Sequence, residues 1–229
     1  MPMSNESVKN LAEKIAKSKS IIREALDRYD NKMALAWTGG KDSTTTLHLL
    51  REVCNGQVTI PVLNIDTSVK FPEIYEFRDR LAKEWQLDLH IERNEEALKA
   101  LKIAANKEEC CLKLKTEVIA GALEKYGWKA LITGMRWDEQ PDRVQEIYFS
   151  PRSNPDHMRV NPILHFTEMD VWQYIKENQI PYCILYRQGY RSLGCEPCTR
   201  PGAMGGPERD GRDKQKEEIM NRLRRMGYF

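Results

Sequence analysis

Apolar residues along the chain recur in two rhythms, helical spacing and short unbroken runs, and the two alternate. Val8, Leu11, Ile15, Ile22 and Leu26 share one face of an amphipathic helix between residues 4 and 29, suited to packing on a sheet. Residues 33–37, MALAW, read as a first strand. Residues 44–54 return to helical spacing, with Leu47, Leu49, Leu50 and Val53 on or near the buried face. Residues 58–65, VTIPVLNI, read as a second strand ending in Asp66-Thr67. Pro61 inside it predicts an irregular or edge start, because proline has no N–H to donate. Phe71-Pro72 opens a helix to about Trp85, the proline being suited to a first turn. Residues 87–91 are a short third strand, and the Lys- and Glu-rich segment 92–109 predicts a solvated helix with mobile ends. Cys110-Cys111 opens a further helix that runs to Tyr126 and closes at Gly127, and residues 130–135, ALITGM, are a fourth strand.

Strands alternating with helices at these distances predict an α/β fold with a doubly wound, mostly parallel sheet. Ligands on such sheets bind beyond the carboxyl ends of the strands. Those ends carry Thr38-Gly39-Gly40, Asp66 and Gly134-Met135-Arg136. After Arg136 the alternation stops: residues 147–149 and 158–163 are short extended pieces, and Thr167 caps a helix to about Asn178. A Pro- and Gly-rich loop spans 181–206, and residues 212–226 form a last, charged helix. This predicts one domain over 1–229: an N-terminal helix (1–30), a nucleotide-binding core (31–150) and a C-terminal loop and helix extension (151–229).

The first strand end points to chemistry. In Thr38-Gly39-Gly40-Lys41-Asp42-Ser43 the glycines permit torsions that a side chain forbids, so successive N–H groups can converge on an anion at a helix start. Lys41 adds a positive charge and Ser43 a hydroxyl, which together describe a phosphate or pyrophosphate cradle without Walker spacing. Beyond the fourth strand, Arg136 and Arg143 can bind phosphate or sulfate oxygens in bidentate fashion, and Asp138 or Glu139 can hold Mg²⁺ on a nucleotide. Arg187, Arg191 and Arg200 flank the Cys-x-x-Cys loop, whereas Trp172 and Tyr174 read as core.

Six cysteines in a chain without an apolar leader or membrane span suggest a reducing cytoplasm, where metal or catalysis is the first reading of a thiol. Vicinal Cys110-Cys111 and the Cys195-x-x-Cys198 pair make a four-thiolate set that fits a [4Fe–4S] cluster or tetrahedral zinc. Cys54 and Cys183 read as buried thiols. Lys plus Arg of 36 against Asp plus Glu of 34 leaves a net charge of +2, which disfavours a nucleic-acid surface.

The segments TGGKDS (38–43), Asp66-Thr67, PEIYEFRDRLAKEW (72–85), GMRWDEQPDR (134–143), FTEMDVWQYIKENQIPY (166–182) and YRSLGCEPCT (190–199) occur in this order. From about residue 21 onward the chain resembles the family of phosphoadenylyl-sulfate reductases and ATP sulfurylase small subunits, ATP pyrophosphatases of adenine-nucleotide α-hydrolase-like fold. The resemblance implies that residues 38–43 hold the phosphate tail of ATP or adenylyl sulfate. It places Asp66 and Gly134 near the nucleoside, and Arg136 and Arg143 toward sulfate or phosphate. The vicinal cysteines with Cys195 and Cys198 are similar to adenylyl-sulfate reductases that carry a [4Fe–4S] cluster. Those enzymes use a nucleophilic cysteine in a C-terminal tail, and no cysteine follows Cys198 here. The intact Gly-Gly-Lys-Asp-Ser form is associated with release of pyrophosphate, and the closing Arg-Arg-Met-Gly-Tyr-Phe resembles that of ATP sulfurylase small subunits.

The leading expectation is therefore an ATP-dependent adenylyltransferase, in which sulfate attacks the α-phosphorus and pyrophosphate leaves. Lys41, Arg136 and Arg143 carry the catalysis. Alternatives are an adenylyl-sulfate or phosphoadenylyl-sulfate reductase with an iron–sulfur cluster, a tRNA-thiolating ATP pyrophosphatase, and a cluster-carrying partner subunit without turnover. Thioredoxin, a GTPase subunit or a second copy of the chain are the partners this implies.

Overall fold

The computed structural model describes residues 10–203 and 205–227; Val8 and the closing Tyr228-Phe229 lie outside them. Helix α1 (Leu11–Tyr29) starts where the Asn10 side chain accepts the Glu13 N–H at 2.9 Å. It buries Ser18, Ile21, Ile22 and Ala25, and the Ser18 hydroxyl donates to the Pro162 carbonyl at 2.8 Å. That bond pins α1 beside the last strand of the sheet.

The sheet has six strands in the order β3-β2-β1-β4-β6-β5. β1 (Met33–Ala36), β2 (Val62–Ile65), β3 (Leu89–Glu92), β4 (Ala130–Ile132) and β6 (Asp156–Val160) run parallel, and β5 (Phe149–Ser153) pairs antiparallel with β6. The chain leaves β1 for β2 and β3 on one side, then returns to β4 on the other. The switch point therefore lies between β1 and β4, where a doubly wound sheet opens its crevice. Met33, Leu35 and Ile132 look into the larger core under α1, α2 (Lys41–Val53), α3 (Pro72–Glu84) and α7 (Glu168–Glu177). Ala34, Leu63 and Leu131 meet Ala122 and Leu123 of α6 (Glu117–Tyr126) on the opposite face. Both faces of the sheet are thus covered, which is why its strands are short apolar runs without alternation.

Several expected boundaries move. The second helix begins at Lys41, three residues early, because Gly40 in extended geometry already serves as its cap. The second strand is confined to 62–65, and it is interior rather than an edge. Pro61 sits just before it and needs no donor, since its carbonyl accepts the Leu35 N–H at 3.0 Å. The single solvated helix expected over 92–109 is two short ones, α4 (Glu95–Ala100) and α5 (Lys107–Cys111). Asn94 and Asn106 each cap a separate start, and Ala104 breaks the link at φ +61°.

Cys110 and Cys111 end α5 instead of opening a helix. The chain then runs through a π-helical stretch, Leu112–Thr116, into α6, which stops at Gly127 with φ +68° as expected. The alternation also does not stop at Arg136. Residues 149–160 fold as a hairpin whose second strand extends the parallel sheet, so the core runs past residue 150. α7 follows the Thr167 cap, and α8 (Lys214–Arg225) starts at Asp213. Among the described residues no helix is long and apolar enough to cross a membrane.

Candidate active site

The loop after β1 is held from both sides. Trp37 donates its indole N–H to the Thr44 hydroxyl at 2.9 Å, and that hydroxyl donates to the Gly40 carbonyl at 2.9 Å. Gly39 takes φ +79°, the left-handed region, which turns the chain into α2. Gly134 comes so close from the end of β4 that a Cβ on it would lie 2.6 Å from the Ser43 nitrogen. Gly134 thus makes room for the loop as well as lining the cavity beside it. The Lys41 amide donates to the Tyr186 hydroxyl at 2.7 Å, and the Thr38 amide to the Ser43 hydroxyl at 3.3 Å.

Two buried cations meet over this loop. Lys41 is 1% exposed and reaches Asp42 at 3.1 Å, the Arg191 carbonyl at 3.2 Å, and Glu208. Burial alone would lower its pKa, yet Asp42, Tyr186 and Glu208 hold it above the ordinary value. Arg136 is fully buried and binds Asp42 at 2.6 Å together with Asp138 and Glu208. Burial opposes its charge too, and Asp42 and Glu208 again outweigh it. Lys41, Asp42 and Arg136 therefore form one unit at the switch point.

A cavity of about 320 Å³ opens beside that unit, a volume typical of small-molecule sites. Ala36, Leu63, Ile65 and Met135 supply an apolar wall, while Thr38, Gly40, Ser43 and Gly134 supply the loop side. Arg143, Arg159, Arg209, Arg212, Lys70 and Lys115 line it with positive charge. Burial lowers the pKa of both Arg143 and Arg212, and each repels Arg209. Arg143 Nε and Arg212 Nη1 are buried without a hydrogen-bond partner. Glu139 pairs with Arg143 and, at 3.0 Å, with Arg209. Asp66 stands at the end of β2, but its carboxylate accepts the Ser68 N–H at 2.7 Å and the Tyr75 hydroxyl at 3.1 Å.

Arg187 and Arg200 look elsewhere, Arg187 to the Tyr182 hydroxyl and Arg200 to the backbone carbonyls of Glu196 and Thr199. Lys115, Tyr186, Glu208, Arg209 and Arg212 were invisible to motif reading. Lys115 follows Cys111 by one helical turn, and Glu208-Arg209 with Arg212 sits in a Gly-rich charged stretch; those spacings were the available signals.

All four paired cysteines line a second cavity next to the first, and Thr67, Lys115 and Cys195 are common to both. Thr67 and Cys195 touch, oxygen to sulfur, at 3.4 Å. Lys107, Lys115 and Lys216 line this pocket, and its described lining includes no carboxylate. Burial pushes Lys216 down to about 7, and burial likewise takes the nearby Lys70 down to about 8. Burial alone would raise the Cys195 thiol, but Lys115, Thr67 and Lys216 bring it down to about 7. Four sulfurs among buried ammoniums suit an anionic thiolate centre. Among the described residues, the three metal-ligand side chains with donor atoms within 4.8 Å of one another are Asp42, Glu139 and Glu208. Cys183 is fully buried and donates to the Glu73 carbonyl at 3.6 Å, a core thiol as expected.

Residues 32–201 match the model of the phosphoadenosine phosphosulfate reductase domain. The chain belongs to that family. It is 34% identical to sulfate adenylyltransferase subunit 2 of Photorhabdus laumondii, over 99% of this chain and 100% of the relative. It is 32% identical to the subunit of the same name from Zymomonas mobilis, over 99% of this chain and 83% of that one. Phosphoadenylyl-sulfate reductase from Candida auris, solved as a phosphate complex, superposes with a TM-score of 0.69. That match has 22% identity and covers 87% of this chain and 99% of the other, and it places the fold among adenine-nucleotide α-hydrolase-like structures. The family match takes in the loop, Arg136, Arg143 and all four paired cysteines. Glu208, Arg209 and Arg212 lie beyond it and reach the cavity only through the fold.

Proposed function

We propose that the chain transfers the adenylyl group of ATP to sulfate, releasing pyrophosphate and forming adenylyl sulfate. The observation that carries this reading is a single cavity with a phosphate-type loop on one side and partnerless buried guanidinium nitrogens on another. Residues 38–43, Lys41 and Arg136 hold the β- and γ-phosphates and take the charge that grows on the leaving group. Arg143, Arg209, Arg212 and Lys115 hold the sulfate and aim one oxygen at the α-phosphorus. The apolar wall of Ala36, Leu63, Ile65 and Met135 receives the adenine. Attack and departure in line need no covalent intermediate, so positioning and charge stabilisation supply the rate.

Mg²⁺ would neutralise phosphate charge when bound, and Asp42, Glu139 and, once it leaves Lys41 and Arg136, Glu208 would offer the hard oxygen donors it prefers. Asp138, which binds Arg136 and the Glu168 amide, stands outside that group of three carboxylates. Cys110, Cys111, Cys195 and Cys198 would hold a [4Fe–4S] cluster, or alternatively zinc, a reading supported by their lining one cavity together with Lys107, Lys115 and Lys216. Lys115 and Lys216 would face the negative charge such a group brings. The relatives' designation as subunit 2 supports a partner subunit.

The test is sulfate-dependent exchange of labelled pyrophosphate into ATP by the full chain, with and without a partner subunit. Exchange is expected, and Lys41→Ala should lower it by roughly 100-fold or more, the usual scale for a lost charge stabiliser. A reductase reading rests on the cysteine pocket abutting the nucleotide cavity. It needs an incoming thiol, since Cys183 is buried and its pKa is raised by that burial. No exchange, with sulfite released from adenylyl sulfate by added thioredoxin, would overturn the transferase reading in its favour.

A further inference from the structure

Lys41 and Arg136 share one carboxylate that belongs to neither of their own segments. Asp42 and Asp138 are neighbours of these cations in sequence, whereas Glu208 arrives from the strap 205–213, far along the chain. Glu208 is 7% exposed and divides its two oxygens, Oε1 to Lys41 and Oε2 to Arg136. A bridging carboxylate and a phosphate present the same thing to these cations: two acceptor oxygens with negative charge. The Tyr186 hydroxyl meanwhile takes the Lys41 amide, the backbone donor at the start of α2.

We propose that Glu208 is a built-in competitor for the phosphate tail, a carboxylate plug that a phosphate must displace from Lys41 and Arg136. This rests on the phosphate-loop reading above. The strap is anchored behind the plug: the Arg200 N–H donates to the Gly211 carbonyl at 2.8 Å, and the Asp213 N–H donates to the Cys198 carbonyl at 3.1 Å. Ahead of it Gly205 takes φ +75°, and Gly206 and Pro207 follow; the Arg191 guanidinium donates to the Gly206 carbonyl, a contact that movement of the strap has to break. Arg209 is the next residue and Arg212 lies three beyond, both on the cavity wall. Displacing Glu208 therefore moves the same strap that presents the guanidiniums for the acceptor. Phosphate occupancy at one end of the cavity is coupled to anion binding at the other.

The experiment titrates inorganic pyrophosphate, without Mg²⁺, into the full chain and into Glu208→Gln by calorimetry. Amide exchange over residues 205–213 is followed on the wild type in parallel. Glu208→Gln should bind pyrophosphate about tenfold or more tightly, the factor by which a closed majority state depresses apparent affinity. The wild-type strap should lose protection as pyrophosphate saturates. Equal or weaker binding by Glu208→Gln overturns the plug and makes Glu208 an orienting residue for the two cations. Should the variant fail to fold, the exchange experiment decides alone, and retained protection at saturation overturns the proposal. Pyrophosphate that binds neither protein removes the phosphate-loop reading as well, which separates the two failures.

Discussion

Single residues set how close the pieces of the site can approach. A Cβ on Gly134 would stand 2.6 Å from the Ser43 nitrogen and 2.7 Å from the Asp42 carbonyl carbon, and backbone cannot swing aside as a side chain can. Gly134→Ala should therefore push the loop off its seat, weakening ATP binding by about tenfold and lowering stability by about 1–3 kcal/mol, an overpacking penalty. Calorimetry with ATP and a denaturant titration measure both, and unchanged ATP affinity would refute the close approach. Glu217 shows the opposite device, a charge that holds other charges. Burial alone would raise its pKa, but Arg209, Lys216 and Arg212 hold it well below the usual carboxylate range. Its folded value lies under its unfolded one. Its contribution is then complete above about pH 4.5 and disappears as pH falls toward the depressed value. Glu217→Gln should cost about 3–5 kcal/mol at neutral pH by removing the buried carboxylate that Arg209 and Lys216 bind. It should also flatten the acid limb of stability against pH, and an acid limb identical to wild type would rule the role out.

At the level of elements, the informative piece is the π-helical stretch Leu112–Thr116 between α5 and α6. A π turn adds one residue to a helix without breaking it, so it re-aims everything on one side by about 100°. It connects the face of α6 that covers the sheet with the face of α5 that presents Cys110, Cys111 and, from within the stretch, Lys115. Deleting Lys113, whose ammonium meets Glu117 at 2.7 Å, should restore regular helix and turn the two cysteines away from Cys195 and Cys198. The expected result is a folded protein with native far-ultraviolet dichroism that fails to take up iron and sulfide on anaerobic reconstitution. Undiminished iron and sulfide would sink the argument. A periodicity reading carries no sign of this insertion, because the apolar spacing on either side is helical. For the same reason Cys110-Cys111 read as a helix start.

Across the whole molecule, two cavities share the wall made by Thr67, Lys115 and Cys195, and a single C-terminal segment closes both. α8 supplies Lys216 to the cysteine pocket and packs Ile219 and Leu223 on Cys111, while the strap before it carries Arg209 and Arg212 to the larger cavity and Glu208 to Lys41 and Arg136. The four strands β1 to β4, their parallel sense and the glycine turn after the first were legible from local pattern, since a buried parallel strand must be a short apolar run, whereas their order in the sheet came only with the fold. The β5–β6 hairpin was not legible as part of the sheet. Arg159 and Arg152 break its apolar run because these strands meet the cationic end of the molecule as well as the core.

Local chemistry in the chain was enough to specify the alternating architecture and the glycine turn that leads from β1 into α2. These depend on torsions, hydrogen-bond donors and spacing within a few residues, which a sequence displays directly. Tertiary structure alone decided that Asp66 turns to its own loop, that Tyr186 and Glu208 sit on Lys41, and that Arg209 and Arg212 join the cavity. Those contacts join residues far apart in sequence, and their energy comes from burial and charge pairing that exist only once the sheet has brought the segments together.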